Sequence, residues 1–465
     1  MSFSSLEFLC WFLPLFLAIY YLLPHRWRNG AICLYSLAFY AYGTWGHPGY
    51  SLLLLGSVAI CYGCGRLIAA GRHPRLWLIA GIAAHLGALF CCKYAAFAAE
   101  NLNRLLTLWG AAPVPVPAVP LPPGISFFTF QAIAYLADVY RGTTAAETNP
   151  VDLSVYMLLF PRLLSGPIVR YETIRPQLRE RRVTVADWGR GARYFIGGLG
   201  AKVLLANRLS GLWSAVEGIG YESLSTPLAW LGLVAFSLQL YFDFYGYSLM
   251  AIGLGQWLGF SLPDNFRHPY TARSMTDFWR RWHITLGQWF RDYVYIPLGG
   301  SRRGFGRTVL NLLCVWLLTG LWHGAAWHYV LWGLFLFLLL TAEKAGLRRL
   351  LERSRVVSRL YMLLAIPLSW MLFAVPRVRD IAVYAGRLVG IGGVNVYSGD
   401  FLKYFRQYGV FVLLGLVCAT PLPERTAHRL RKHPVWLAVL LAAVLAAAIY
   451  NIYQGLNDPF MYFQF

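Results

Sequence analysis

The sequence predicts an all-α polytopic membrane protein, and three observations carry that prediction. Of 465 residues, 58% are hydrophobic, 16% are aromatic and only 13% are charged. The mean hydropathy is +0.51. A soluble globular chain carries about 25% charged residues, so two or three soluble domains could not cover their surfaces with this composition. Disorder is excluded by the same numbers. Second, apolar runs of span length recur from end to end. Third, the 41 Lys and Arg, against 20 Asp and Glu for a net charge of +21, lie mainly between those runs. That placement makes them topology-setting loop residues that touch membrane lipids; nucleic acid is not an expected partner.

A span takes about 20 mostly apolar residues. In chain order the candidates are 6–24, 31–50, 51–70, 76–97, 124–140, 151–169, 191–213, 226–260, 308–328, 329–346, 358–378, 405–422 and 434–455. About 10–12 crossings are expected from that length rule, together with re-entrant and interfacial helices. The run 151–169 contains Pro161, Arg162, Gly166 and Pro167. It reads as re-entrant, which is allowed only where protein or water satisfies the backbone.

The first run lacks a basic stretch before Leu6 and ends in Leu-Leu-Pro-His-Arg, so no cleaved signal peptide is expected. His25-Arg26-Trp27-Arg28 follows that run and no Lys or Arg precedes it. This asymmetry puts the N-terminus outside, and puts the Arg-dense segments 170–193, 264–307, 344–359 and 425–432 in the cytoplasm. The Pro-rich stretch 113–123 carries no charge and reads as an extended external connector. All eight cysteines lie in or beside apolar runs. Cys61 and Cys64 have redox spacing but no second ligand pair, so neither a disulfide framework nor a metal site is expected.

The segment 264–307 is aromatic and amphipathic without being apolar enough to span. Phe278, Trp279, Trp282, Leu286, Trp289 and Phe290 recur at about helical spacing, with Arg280, Arg281 and Arg291 between them. Two readings fit: a cationic helix lying on the cytoplasmic leaflet, or a helix packed into the membrane body that carries chemistry.

Candidate chemistry centres on two histidines. His323 sits inside an apolar span, flanked by Gly320 and Gly324, and His283 sits in Phe278-Trp-Arg-Arg-Trp-His283. Ionisable groups at membrane depth are rare and usually face an interior cavity, and a neutral imidazole can act as a general base near pH 7. The alternative for His323 is a histidine hydrogen-bonded to a neighbouring helix; His85 reads that way. Asp243 is a further intramembrane ionisable residue. It could orient a histidine or pair with an arginine such as Arg162. Asn265, Asn311, Gln131 and Gln239 are weaker polar candidates. The chain has no phosphate-binding Gly-rich loop and no Gly-x-Ser-x-Gly elbow. The two key histidines are not at metal-ligand spacing.

Several runs together resemble the membrane-bound O-acyltransferase family, and within it most resemble the branch that acetylates alginate and cellulose. They are Pro123-Gly-Ile-Ser-Phe-Phe-Thr-Phe-Gln131, Ser165-Gly-Pro-Ile-Val169, Tyr241-Phe-Asp-Phe244, Asn265-Phe-Arg-His-Pro-Tyr270, Phe278–His283, Arg291-Asp-Tyr-Val-Tyr-Ile-Pro-Leu-Gly-Gly300, Gly320-Leu-Trp-His-Gly-Ala325 and the closing Asp458-Pro-Phe-Met-Tyr-Phe-Gln-Phe465. The chain departs from that pattern at Tyr245, Leu249, Gly287 and Ser301. The resemblance implies one catalytic domain over 1–465 around a central funnel. Peripheral helices would occupy 1–112, the catalytic core 113–346 and C-terminal helices 347–465. His323 matches the family's signature histidine and His283 its second.

It also implies an enzyme of a bacterial inner membrane, with a periplasmic N-terminus, that uses no bound cofactor. The implied donor is cytosolic acetyl-CoA. His323 would be the base that deprotonates a polysaccharide hydroxyl, with His283 orienting the acyl group. Asn265, Trp282, Trp322, Asp243, Arg291 and Asn311 are the candidate substrate-binding residues, Asn265 and Trp282 as oxyanion donors. A separate periplasmic esterase-like acetyltransferase and polysaccharide machinery are the implied partners. Two rivals stand beside this: D-alanyl transfer to teichoic acid within the same family, and a transporter with Asp243 and the Gly-broken 246–260 stretch at its binding site.

Overall fold

The computed structural model describes residues 2–455, and the closing Asp458–Phe465 motif lies outside them. Every regular element among the described residues is helical. Among the described residues, eight helices are long and apolar enough to cross a membrane, and two further apolar helices, Phe8–Leu22 and Ile125–Tyr140, are shorter. The multi-pass all-α architecture follows. Two compact units are present: Met1–Gly191 with Ala251–Pro263, and Ala192–Met250 with Asp264–Phe465.

The first unit contains α1 (Phe8–Leu22), α2 (His25–Gly43), α3 (Pro48–Ala69), α4 (Pro74–Leu108), α5 (Ile125–Tyr140), α6 (Pro150–Leu158), α7 (Phe160–Leu163) and α8 (Tyr171–Arg179). Helix α5 is apolar on nearly all sides and buried on nearly all of them, which is what an all-round hydrophobic helix requires. It packs on α3 and α4 where small residues allow close approach. A Cβ on Gly65 would stand 2.8 Å from the Tyr135 ring, and one on Gly81 2.6 Å from the Leu136 side chain. The run 151–169 is broken, as Pro161 requires: α6 ends at Leu158 and α7 is a single turn. Arg162 is fully buried there, donating to the Tyr156 carbonyl and lying 4.6 Å over the Tyr156 ring. His85 hydrogen-bonds the Gly81 carbonyl at 2.7 Å and the Ser57 hydroxyl at 2.9 Å, which makes it a structural histidine.

Helix α9 (Val185–Gly200), in the second unit from Ala192 onward, passes through a π-helical turn, Ala201–Ala206, into α10 (Asn207–Ile219). Helix α11 (Thr226–Leu258) crosses it at two glycines: a Cβ on Gly198 would stand 2.5 Å from the Gly246 carbonyl, and one on Gly246 2.6 Å from the Gly198 carbonyl. That close crossing sets Lys202 against Asp243 at 2.7 Å, with both side chains 1% exposed. The partner of Asp243 is therefore this lysine; Arg162 is engaged by Tyr156.

Removing one member of a buried ion pair strands the other charge and costs about 3–5 kcal/mol, whereas replacing both with apolar groups is often neutral. Asp243→Leu is therefore expected to lower the unfolding temperature sharply in detergent, and adding Lys202→Met should restore most of it. Equal damage from the single and double variants would show that the pair is not the source of the effect.

The remaining elements are α12 (Met275–Trp279), α13 (Ile284–Phe290), α14 (Phe305–His323), α15 (Trp327–Arg353), α16 (Arg355–Ala374), α17 (Val378–Leu388), α18 (Asp400–Cys418), α19 (Leu422–Leu430) and α20 (Pro434–Tyr453). Helices α14 and α15 form a tight pair because glycines face backbone. A Cβ on Gly320 would lie 2.4 Å from the Tyr329 carbonyl, and one on Gly333 2.4 Å from the Trp316 carbonyl. The glycines beside His323 thus admit a neighbouring helix.

Candidate active site

The aromatic segment around His283 is two short helices joined by a turn. Its apolar side chains are buried in the unit: Phe278, Trp282, Leu286, Trp289 and Phe290 are each at most 7% exposed. Helix α12 starts under two caps. The Ser274 hydroxyl accepts the Asp277 N–H at 3.1 Å, and Glu343 of α15 accepts the N–H groups of Met275 at 2.6 Å and Thr276 at 2.9 Å. Those donors have no partner inside a helix, and a carboxylate at the N-terminal end also suits the helix dipole.

Between α12 and α13 the chain reverses at His283, which takes a left-handed backbone conformation, φ +44°, at a cost of about 1–2 kcal/mol for a non-glycine residue. Neighbouring chain holds it there. Arg267 N–H donates to the Arg281 carbonyl and Ile284 N–H to the Asn265 carbonyl, both at 3.0 Å. The Asn265 side-chain oxygen accepts the Thr285 hydroxyl at 2.7 Å and the Thr285 N–H at 3.3 Å, and its amide donates to the Ser248 hydroxyl at 3.3 Å. Strain of this kind persists only where surroundings over-determine it, and it concentrates at functional sites. Asn265, expected as an oxyanion donor, commits its side-chain oxygen and one amide hydrogen to clamping the turn.

His283 is 1% exposed and sits edge-on to Phe244, ring centroids 4.6 Å apart. Burial pushes its imidazole down to about 3. The ring is therefore neutral at pH 7, and the charged residues that share its cavity are cations, which would not favour an imidazolium. That cavity measures about 470 Å³. His283 and Trp279 form part of its wall with the apolar Leu312, Val315 and Trp316, while Arg280, Arg291 and Lys344 line it as well. The three cations are exposed and His283 is buried, so the cavity grades from cationic to dry. Arg291 also pairs with Asp292 at 2.8 Å.

His323 is the last residue of α14 and 3% exposed. Its ring packs against Trp322, Trp332 and Phe373, with centroids 4.8, 5.0 and 5.2 Å away. It is not on the wall of the cavity that reaches His283. The two histidines share Trp322, whose ring lies 5.9 Å from that of His283. The structure thus brings His283, Trp322 and His323 together. It places Trp282 in packing, against Trp370 at 4.9 Å and Phe266 at 5.1 Å. Asn311 donates to the Gly300 carbonyl at 2.8 Å and ties α14 to the preceding loop.

Trp279, Lys344, Thr285, Ser248 and Lys202 were not singled out from sequence. Trp279 lies within a motif already flagged. Lys344 follows the apolar run within α15, and nothing local distinguishes it from an interfacial lysine.

The profile of the membrane-bound O-acyltransferase family matches residues 146–375, which contain both histidines. A Pseudomonas aeruginosa protein named "Probable alginate O-acetylase" is 40% identical over 464 residues, 99% of this chain and 83% of that protein. A Helicobacter pylori "Peptidoglycan O-acetyltransferase" is 32% identical over 436 residues, 85% of this chain and 81% of that protein. A Bacillus subtilis "Teichoic acid D-alanyltransferase" is 28% identical over 231 residues, 47% of this chain and 58% of that protein.

Proposed function

The chain belongs to the membrane-bound O-acyltransferase family, and from that premise we propose that this enzyme moves acetyl groups from a cytoplasmic thioester, acetyl-CoA, to an extracytoplasmic polysaccharide such as alginate. It would do so in a bacterial inner membrane with its N-terminus in the periplasm. The observation that carries the proposal is the cavity that begins among Arg280, Arg291 and Lys344 and ends on a buried, neutral histidine. Cations suit a donor that carries phosphates. The dry inner wall suits a thioester that must be kept from water.

In this reading the donor fills the cavity up to His283. An imidazole whose pKa is about 3 has too little proton affinity for a general base, which works best near the operating pH. A neutral imidazole N–H is instead a good hydrogen-bond donor to a carbonyl oxygen, as in the isomerase that uses a neutral histidine as electrophile. His323 takes the proton of the acceptor hydroxyl as its oxygen adds to the thioester carbon. The C–S bond then breaks, and the proton passes to the departing thiolate. Trp322, which touches both rings, keeps the two histidines in register.

The acceptor that meets His323 is the polymer hydroxyl or a residue of a separate periplasmic esterase-like transferase. Relatives named for alginate and peptidoglycan acetylation cover most of the chain, whereas the D-alanyl relative covers 47% of it. This favours acetyl transfer over D-alanyl transfer.

The test uses purified protein in nanodiscs with acetyl-labelled acetyl-CoA. Release of CoA that depends on added polysaccharide and its periplasmic partner is the expected result. No turnover with acetyl-CoA, but turnover with a D-alanyl carrier protein, would overturn the reading.

A further inference from the structure

We propose that Gly287 is a specificity-determining residue for the donor. By carrying no side chain it leaves room for a thin arm to run from the cationic part of the cavity to His283. The inference rests on the acyl-CoA reading above and names a residue of that same cavity.

Gly287 lines the cavity that reaches His283, and it is exposed. It stands within α13, where its N–H donates to the His283 carbonyl at 3.0 Å, and its own carbonyl accepts the Arg291 N–H. Residues four apart share a helix face. His283, Gly287 and Arg291 therefore follow one another along one face, and all three line the cavity. At the helical rise the first and last of them are about 12 Å apart along the axis. One end is a buried imidazole, the other an exposed guanidinium, and the glycine lies midway.

Nothing in the protein's own packing requires a glycine there. A Cβ on Gly287 would meet only the Trp279 carbonyl, at 3.7 Å, which is an ordinary contact. Gly320 and Gly333 differ, since a Cβ on either would lie 2.4 Å from a carbonyl of the facing helix. The backbone at 287 is not left-handed either. Glycine is also a poor helix residue beside alanine. The space next to it is the cavity, so the missing side chain leaves volume to a ligand. A CoA thioester has the matching shape, with phosphates at one end and the thioester at the tip of a narrow linear arm. With phosphates at Arg280, Arg291 and Lys344 and the thioester toward His283, the arm crosses the wall at Gly287.

The test uses the whole protein in nanodiscs and two ligands. S-acetonyl-CoA is an unreactive relative of acetyl-CoA, and 3′-phospho-ADP is its nucleotide without the arm. Calorimetry compares wild type with Gly287→Ala and Gly287→Leu. Gly287→Leu should bind S-acetonyl-CoA about tenfold or more weakly, as expected when bulk is forced into a filled space, with 3′-phospho-ADP affinity unchanged. Gly287→Ala should fall between wild type and Gly287→Leu, and should unfold at or above the wild-type temperature, since alanine is the better helix former.

Unchanged S-acetonyl-CoA affinity in Gly287→Leu overturns the proposal, as does an equal loss for both ligands, which would be a deformed cavity. Failure of wild type to bind S-acetonyl-CoA overturns the acyl-CoA reading itself. If Gly287→Leu does not accumulate, Gly287→Cys replaces it, with maleimide labelling read by mass spectrometry on the peptide carrying residue 287. S-acetonyl-CoA should block that labelling and 3′-phospho-ADP should not. Labelling that proceeds equally with and without S-acetonyl-CoA overturns the proposal.

Discussion

Replacing His323 with glutamine is expected to abolish measurable polymer acetylation, lowering turnover about 10²–10⁴-fold, the usual contribution of a positioned general base. Glutamine is chosen over alanine because the ring is packed against Trp322, Trp332 and Phe373. Truncation there would open a cavity and confuse lost chemistry with lost stability. Membrane levels and unfolding temperature should stay close to wild type while acetyl content falls to background. Because His323 is not on the wall of the cavity that reaches His283, affinity for a donor bound in that cavity should change little, so the loss should sit in kcat. Normal acetyl content in a strain carrying this variant would remove the base role from His323.

Replacing His283 has two expected signatures. His283→Phe should cost about 10²–10³-fold in turnover, the usual effect of deleting one donor to a developing oxyanion. His283→Gln, which restores an N–H, should recover part of it. The second signature is in stability. The folded protein holds this imidazole near 3, whereas an unfolded chain titrates near 6.5. Below pH 6.5 the unfolded state takes up a proton that the folded state refuses, so stability falls as pH drops from 6.5 toward 3. By pH 5 the loss is about 2 kcal/mol. Thermal unfolding of His283→Gln between pH 7 and 5 should be flatter than wild type by that amount. An identical slope would mean that the ring is hydrated and charged, and the neutral-donor role would fail with it.

Much of this protein was legible before any fold was known. The membrane class and the helical architecture follow from low charge and repeated apolar runs. The broken character of 151–169 follows from Pro161 and Gly166. Motifs marked His283 and His323 as candidates, and both rings lie beside Trp322. Other readings changed. The spacing of Phe278, Trp282 and Leu286 looked like one helix, because apolar periodicity reports which side chains want burial and says nothing of a backbone reversal between them. That Asn265 clamps a turn was hidden, since a buried amide at a motif has the same sequence signal whether it binds substrate or holds backbone. Arg162 looked like a match for Asp243, since charge counting cannot tell Arg162 from Lys202.

What the amino acids alone established is the solvent each segment prefers, lipid for the runs, and the motifs that mark two histidines as candidates. Both are properties of side chains taken near to one another in sequence. The fold settled that His283 lines a cavity, which acid meets Lys202, and how a strained turn at residue 283 is held. Those depend on contacts between segments far apart in the chain. Gly198 against Gly246 and Asn265 against Thr285 come together only once the helices have packed.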